Sequence, residues 1–153
     1  MKLIPHIAAG LCFLLLAGCS QGPKSSFGFT LPDGDAAAGK QTFVSYMCHE
    51  CHSVSGMEMP DVEFAAERQV KLGGKVDRIQ TYGELVTSII NPSHKLASGY
   101  RPEDVSAEGE SKMTNYNDVM TVGELIDIVA FLQAQYELKP FEPTAYDMYY
   151  YGP

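Results

Sequence analysis

Residues 48–52 read Cys48-His49-Glu50-Cys51-His52, and the rest of the chain is interpreted from this stretch. Two thiols three positions apart on one helical turn can form thioethers with the two vinyl groups of a haem. The imidazole of the following residue then lies where it can bind the iron. The same pair of thiols could also serve as a redox dithiol or as half of a zinc site.

Three features of the sequence favour the haem. The chain begins with an export signal, and c-type haem is attached outside the cytoplasm. The four cysteines, Cys12, Cys19, Cys48 and Cys51, contain no second pair that would complete a four-ligand zinc site. The motif is not surrounded by the βαβ pattern of a thioredoxin-like dithiol. The single motif therefore predicts one covalent haem c, held by Cys48 and Cys51, with His52 as an iron ligand.

The charge balance is acidic. The chain of 153 residues contains Lys+Arg 11 and Asp+Glu 19. Lys2 is the only charged residue before position 19, so the chain after residue 18 has 10 minus 19, or a net charge of −9. This charge argues against nucleic acid as a partner and suits a redox protein with a basic docking patch, although it could equally serve only solubility.

Residues 1–18 have the form of a targeting segment. Lys2 supplies positive charge, and an apolar run over residues 7–17 is too short to span a bilayer comfortably. The run ends in Leu16-Ala17-Gly18-Cys19, which resembles the lipobox of bacterial lipoproteins. That resemblance implies cleavage before Cys19 and a lipid on its thiol; the alternative is an ordinary secretory signal that leaves Cys19 free.

The segment after the signal is expected to be a tether. Residues 19–35 are rich in Ser, Gly and Pro and cannot bury a core. Cys12 would be lost with the signal in either case. Similarity to Gram-negative lipoproteins, with Ser20 after the lipidated cysteine, favours the outer membrane. The sequence thus predicts a domain held on the periplasmic side by a lipid anchor.

Three helices are predicted from their capping residues. Asp35 is a suitable N-cap for the first helix, which leads to the motif and places Gly39, Phe43 and Met47 on one face. Thr81 and Thr121 each begin a capping box, with Glu three residues later. The second helix ends at Asn91-Pro92, and the third runs from Val122 to about Gln135. Residues 53–80 and 91–120 are expected to be mostly loop, with a helical turn or two around Val62–Val70.

Residues 36–138 as a whole resemble the small monohaem cytochrome c family. Gly39 and Phe43 match the N-terminal helix pattern of that family. Val129-Ala130-Phe131-Leu132 matches the C-terminal helix, which in the family crosses the first helix at that glycine. Leu85 to Pro92 matches the middle helix and its exit. The resemblance implies an all-α, cytochrome c-like fold of three to five helices around one haem.

The resemblance also implies a methionine as the sixth iron ligand. Met113 lies eight residues before the last helix begins, on a loop like the ligand loop of the family. Met120 and His94 remain alternatives, although Met120 is expected to lie in the core and His94 in an exposed loop. The side chains considered as weaker candidates for contacts with the sulfur or the haem propionates are Tyr116, Asn117, Tyr82, Tyr100, Arg78 and Arg101.

The chain departs from the family near the proximal ligand. Val70 stands where the family often carries proline, a role that Pro60 could serve instead, and Thr114 stands where proline often follows the axial methionine. The departure at Val70 leaves open which backbone carbonyl accepts the hydrogen bond of the His52 Nδ1–H group, although that bond sets the basicity of the imidazole.

The function predicted from these residues is one-electron transfer by a membrane-anchored c-type cytochrome, with no catalytic cluster. Two alternatives remain. The chain could be the haem subunit of a periplasmic dehydrogenase or oxidase complex that docks through the tyrosine-rich tail, residues 139–153. It could also be a five-coordinate haem protein, a sensor or peroxidase.

Overall fold

The computed structural model describes residues 31–140. Contacts divide the chain into two units, Met1–Leu31 and Pro32–Pro153, and the described helices and strands lie in the second. The predicted signal, the lipidation site Cys19, most of the tether and most of the aromatic tail lie outside the described residues. None of the helices in the described range is long and apolar enough to cross a bilayer.

The described unit combines four α-helices with three short strand pairs. The helices are α1 (Ala36–Ser45), α2 (Tyr82–Ile90), α3 (Pro102–Val105) and α4 (Val122–Gln133), with 3-10 turns at Cys48–Glu50 and Pro92–His94. The strands are β1 (His52–Val54), β2 (Val70–Leu72), β3 (Gly74–Val76), β4 (Ser106–Ala107), β5 (Glu110–Ser111) and β6 (Tyr136–Leu138). Pairing joins β1 with β2 and β3 with β6 in parallel, and β4 with β5 antiparallel. This mixture of helices and short strands does not test the all-α, cytochrome c-like fold, which stays a prediction.

Helix α1 begins where its sequence predicts. The Asp35 side chain accepts hydrogen bonds from the backbone N–H groups of Ala37 and Ala38, at 2.8 and 3.1 Å. These bonds satisfy donors that the first helical turn leaves free. The helix ends before Met47, which has a left-handed φ of 57° and is 46% exposed. The prediction that Met47 shares one helical face with Gly39 and Phe43 is therefore wrong, because the helix ends at Ser45.

Helices α1 and α4 cross at Gly39, as expected from the glycine. A Cβ atom placed on Gly39 would lie 1.9 Å from the backbone oxygen of Asp127. The approach continues at Gly34, where a Cβ would lie 2.5 Å from the oxygen of Ile126. The Asp35 backbone N–H also donates to Asp127 Oδ1 at 2.8 Å. Backbone contact of this kind tolerates only glycine, so these two positions set the distance between the helices.

The predicted capping boxes at Thr81 and Thr121 are both present. In each, the threonine hydroxyl accepts from the glutamate backbone N–H, and the glutamate side chain accepts from the threonine N–H. Helix α2 ends at Ile90, before Asn91, as the following proline predicts. The core is formed mainly by α2 and α4 residues, which are Leu85, Val86, Ile89, Leu125, Ile126, Ile128, Val129, Phe131 and Leu132.

Residues 53–80 contain strands where a helical turn was expected. Residues 61–69 have no helical conformation, and Val70 begins β2, so the prediction of a turn around Val62–Val70 is wrong. The physical reason is long-range pairing. The backbone N–H of Ala66 donates to the Glu50 oxygen at 2.8 Å, and that of Val70 donates to the Cys51 oxygen at 2.8 Å. These bonds to the motif replace the local bonds of a helix.

Residues 91–120 were expected to be mostly loop, but they contain the 3-10 turn Pro92–His94, helix α3 and one small hairpin, β4–β5. Its two-residue turn places Glu108 and Gly109 at φ values of 54° and 87°. Positive φ at both positions is the requirement of a type I′ turn, which matches the natural twist of a hairpin. The hairpin ends two residues before Met113, and the Met113 backbone N–H donates to Ser111 Oγ at 3.1 Å.

Acid is expected to weaken the cap of α2. Arg78 holds Glu84 through two hydrogen bonds, at 2.7 and 3.1 Å, and this pairing, with the Thr81 bonds, lowers the pKa of Glu84 to about 2. A lowered folded-state pKa contributes stability above the ordinary pKa, and that contribution is lost as the pH falls toward 2. Thermal unfolding between pH 5 and about pH 2 should therefore change less in Glu84→Gln than in the wild type. Equal pH slopes in the two proteins would contradict this role for the pair.

Candidate haem site

The motif forms a single 3-10 turn. Cys48–Glu50 is the turn, Cys51 caps it, and the Cys51 backbone N–H donates to the Cys48 oxygen at 3.2 Å. Side chains three positions apart in a 3-10 turn eclipse one another, so the two thiols lie on the same side. Both are free thiols; Cys48 is half-buried and Cys51 is exposed. The turn therefore presents the pair of sulfurs that two neighbouring thioethers need.

Cys48 does not have the character of the attacking thiol of a redox dithiol. Burial raises the pKa of Cys48 to about 11, with the nearby Cys51 thiol adding to the effect. Dithiol oxidoreductases instead lower the pKa of the attacking cysteine, since the thiolate is the nucleophile. Cys48 is fully protonated at neutral pH, which is the opposite of that requirement.

His52 is held by the backbone of β2. Its Nδ1 lies 3.2 Å from the carbonyl oxygen of Val70, the residue directly opposite it in the β1–β2 pair. A carbonyl can only accept, so the hydrogen of the neutral ring lies on Nδ1 and the Nε2 lone pair is free. Burial lowers the pKa of His52, with the Val70 carbonyl acting in the opposite direction. The ring is thus neutral and available as a metal ligand.

The acceptor that the sequence left open is the Val70 carbonyl. Because the acceptor is a backbone atom, the proline expected at this position is not needed for the bond. Valine adds a contact that proline could not make, since the Val70 N–H donates to the Cys51 oxygen at 2.8 Å. Val70 therefore contacts the motif through both of its backbone polar groups. Its N–H donates to Cys51, and its carbonyl oxygen accepts from His52.

The loop between β1 and β2 covers the motif turn. Gln69 Nε2 donates to the His49 backbone oxygen at 2.9 Å. His49 is 4% exposed, and its Nδ1 has no hydrogen-bond partner among the described residues. A cavity of about 340 Å³ lies here, lined in part by His49, His52, Met57 and Met59. Met113 is not among the residues that line it.

The loop that carries Met113 is attached close to the motif. Met113 itself is half-buried. Three residues later, the Tyr116 hydroxyl donates to the backbone oxygen of Tyr46 at 2.8 Å, and the two rings meet edge to face at 5.3 Å. Burial raises the pKa of Tyr116, and the nearby Cys48 and Cys51 thiols contribute to the same effect. The loop therefore lies beside the thiols, while Met113 as the ligand opposite His52 stays a prediction.

The two alternatives to Met113 as the sixth ligand, His94 and Met120, lie in less suitable surroundings. His94 is exposed, and its Nδ1 lies 2.7 Å from the Asn91 oxygen in its own turn. Met120 is half-buried at the start of α4. Asn117 Nδ2 donates to the Ile90 oxygen at 2.8 Å, which ties the loop to the end of α2. None of these contacts places a second iron-binding side chain near His52.

The weaker polar candidates are mostly engaged within the protein. Arg78 pairs with Glu84, Arg101 pairs with Asp104, and the Tyr100 hydroxyl accepts from the Lys71 backbone N–H. The Tyr82 hydroxyl differs, because it is buried and has no partner among residues 31–140. A buried phenol donor without an acceptor is costly, and a carboxylate would satisfy it.

The residues present fit a covalent haem. Two free thiols share one side of a turn, and the adjacent imidazole is neutral, half-buried and fixed through Nδ1. The described residues contain no group of three or more His, Cys, Asp or Glu side chains placed to hold a bare metal ion. No family model, curated protein or solved structure matches the chain.

Gln69 carried no sequence signal, and Tyr100 was considered only for contacts with the sulfur or the haem propionates. Gln69 lies in a stretch without periodicity, and its bond to the His49 oxygen spans 20 positions. Tyr100 reaches Lys71 across 29 positions. Neither residue belongs to a motif, so only the tertiary structure identifies these contacts.

Proposed function

We propose that this chain is a one-electron carrier with a single covalent haem c. Cys48 and Cys51 would hold the haem, His52 would bind the iron, and Met113 would be the sixth ligand. The observation that carries the proposal is the placement of His52, which follows two free thiols and is fixed through Nδ1 to the Val70 carbonyl. A ligand imidazole commonly donates its second N–H in this way.

The chain's own residues would prepare the site for electron transfer. When bound, the haem iron supplies the ferric–ferrous couple. The hydrogen bond to Val70 selects the His52 tautomer that leaves Nε2 free and makes the imidazole more basic. A thioether ligand from Met113 would favour ferrous iron and raise the potential. If His52 and Met113 both bind the iron, the fold would not need to rearrange when its oxidation state changes.

The setting we propose is the periplasmic side of a membrane. Lipidation at Cys19 would anchor the chain, and residues 20–35 would let the domain reorient. The acidic balance of the chain after residue 18, −9 from 10 basic and 19 acidic residues, supports a redox partner with a basic docking patch. The outer membrane is favoured for a Gram-negative host.

Carbon monoxide tests this proposal. The reduced wild type should be low-spin and should not change its visible spectrum under CO, because both axial positions are filled. Met113→Ala should lose the weak red absorption band of a methionine–ferric iron bond and should bind CO rapidly. Met120→Leu serves as the control, since it removes a nearby thioether and should behave as the wild type.

Two results would contradict the proposal. Rapid CO binding by the reduced wild type would favour the five-coordinate sensor or peroxidase. Loss of the red band in Met120→Leu but not in Met113→Ala would transfer the ligand role to Met120.

A further inference from the structure

Residues 68–71 form hydrogen bonds with the motif on one side and with Tyr100 on the other. Toward the motif, the Val70 oxygen accepts from His52 Nδ1 at 3.2 Å, and the Val70 N–H donates to the Cys51 oxygen at 2.8 Å. Away from the motif, the Lys71 N–H donates to the Tyr100 hydroxyl at 2.8 Å. The residue that fixes the proposed iron ligand therefore lies between the motif and Tyr100.

Within residues 31–140, strand β2 is paired with another strand along one edge only. It is three residues long, and its one paired neighbour, β1, is equally short. An isolated pair of strands is marginally stable in water. In a strand, successive N–H groups point to opposite edges, so the bond from Lys71 to Tyr100 uses the edge that β1 leaves open. Tyr100 supplies the acceptor that a third strand would otherwise provide.

Tyr100 is itself held in a defined segment. We call residues 100–104 the brace. Asp104 accepts from Arg101 Nη2 at 2.8 Å and Nε at 3.1 Å, and its side chain is only 12% exposed. Arg68, two residues before Val70, approaches Asp104 at 3.6 Å. The brace thus meets the β2 segment on both sides of Val70, at positions 68 and 71.

From these contacts we infer that Tyr100 is a positioning residue for His52. It acts through Lys71 and the Val70 carbonyl, and so it controls the hydrogen bond that His52 donates. A weaker bond at Nδ1 makes the imidazole a poorer electron donor to a metal. The inference rests on the proposed function for its effect on the reduction potential, while its effect on the His52 hydrogen bond does not.

The brace also leads toward the other proposed ligand. The Lys112 N–H donates to the Val105 oxygen at 3.0 Å, and the Ser111 N–H donates to Ser93 Oγ at 3.0 Å. These bonds hold the β4–β5 hairpin that ends just before Met113. The segment that supports β2 is therefore continuous with the segment that presents the methionine.

The test compares Tyr100→Phe with the wild type in the haem-containing protein. Exchange of the His52 Nδ1 proton, followed by NMR in the ferrous state, should become roughly fivefold faster, as expected from the loss of one supporting hydrogen bond. The reduction potential should shift to a more positive value. Asp104→Asn should move both quantities in the same direction by less.

The control is Asp77→Asn. It breaks an exposed ion pair of the same kind, with Lys139 at 3.0 Å, that does not touch β2. It should change neither proton exchange nor potential. If Tyr100→Phe loses stability but keeps the wild-type proton exchange and potential, the residue is merely structural and the inference is overturned. If the purified chain carries no haem, the proposed function fails, and proton exchange at His52 and Lys71 still decides the role of Tyr100.

Discussion

Gly39→Ala is expected to destabilise the protein by about 3 kcal/mol or more. The added Cβ would lie 1.9 Å from the Asp127 oxygen and 2.4 Å from its carbonyl carbon. Both atoms belong to the backbone of α4, so no side chain can rotate away to make room. Relief of the clash requires the two helices to separate, which would open the interface that buries Phe43 against Phe131, now 5.6 Å apart between ring centroids.

Helix propensity works against this effect but is too small to cancel it. Alanine is favoured over glycine in a helix interior by about 1 kcal/mol. Gly83→Ala is the matched control, because Gly83 is also helical and a Cβ there would meet nothing within 4 Å. Denaturant unfolding of the two variants should give changes of opposite sign. A Gly39→Ala protein as stable as Gly83→Ala would show that the crossing does not have the described distance.

The second large effect is expected at the two thiols. Cys48→Ser combined with Cys51→Ser should abolish the retention of haem after denaturation, since a hydroxyl does not form the thioether. Each single variant should keep haem through its remaining thiol, in lower yield. The measurement is the haem absorbance that remains with the polypeptide after denaturation and extraction with acidified solvent.

Glu50→Gln is the control for the thiol variants. Glu50 lies between the two cysteines, and its backbone oxygen accepts from Ala66, whereas its side chain makes no hydrogen bond among the described residues. The variant should therefore retain haem as the wild type does. Full retention by the double serine variant would rule out covalent attachment at this motif.

Local signals account for the parts of the fold that were predicted correctly. Asp35, Thr81 and Thr121 each cap the helix expected from the sequence, because a cap depends only on residues within one turn. Asn91 ends α2 for a similarly local reason. Gly39 was informative because an unfavourable residue in a helix needs a compensating contact.

The errors fall where distant contacts decide the structure. Residues 61–69 bond to the motif turn rather than to one another, so their weak helical pattern had no effect. Met47 follows the end of α1, which periodicity alone does not locate.

In the candidate site, too, the features set by neighbouring residues were predicted and those set by distant contacts were not. The motif is local, and the prediction of haem attachment rests on its five residues. The Val70 carbonyl is a backbone atom 18 positions from His52, and no side-chain pattern marks it. The prediction of Met113 as the sixth ligand is intermediate, because it depends on both local sequence and distant contacts. The sequence and the resemblance name it, and the contact from Tyr116 to Tyr46 supports its loop being near the motif.

The most direct test of the central claim is the mass of one peptide. Trypsin should release residues 41–68, which contain both thiols and His52 and have no internal Lys or Arg. From the exported wild-type protein, we expect this peptide at its polypeptide mass plus one intact haem, since addition of two S–H groups across two vinyl groups loses no atoms. Recovery of the peptide only at its unmodified mass, or with an internal disulfide, would contradict covalent attachment of haem at Cys48 and Cys51.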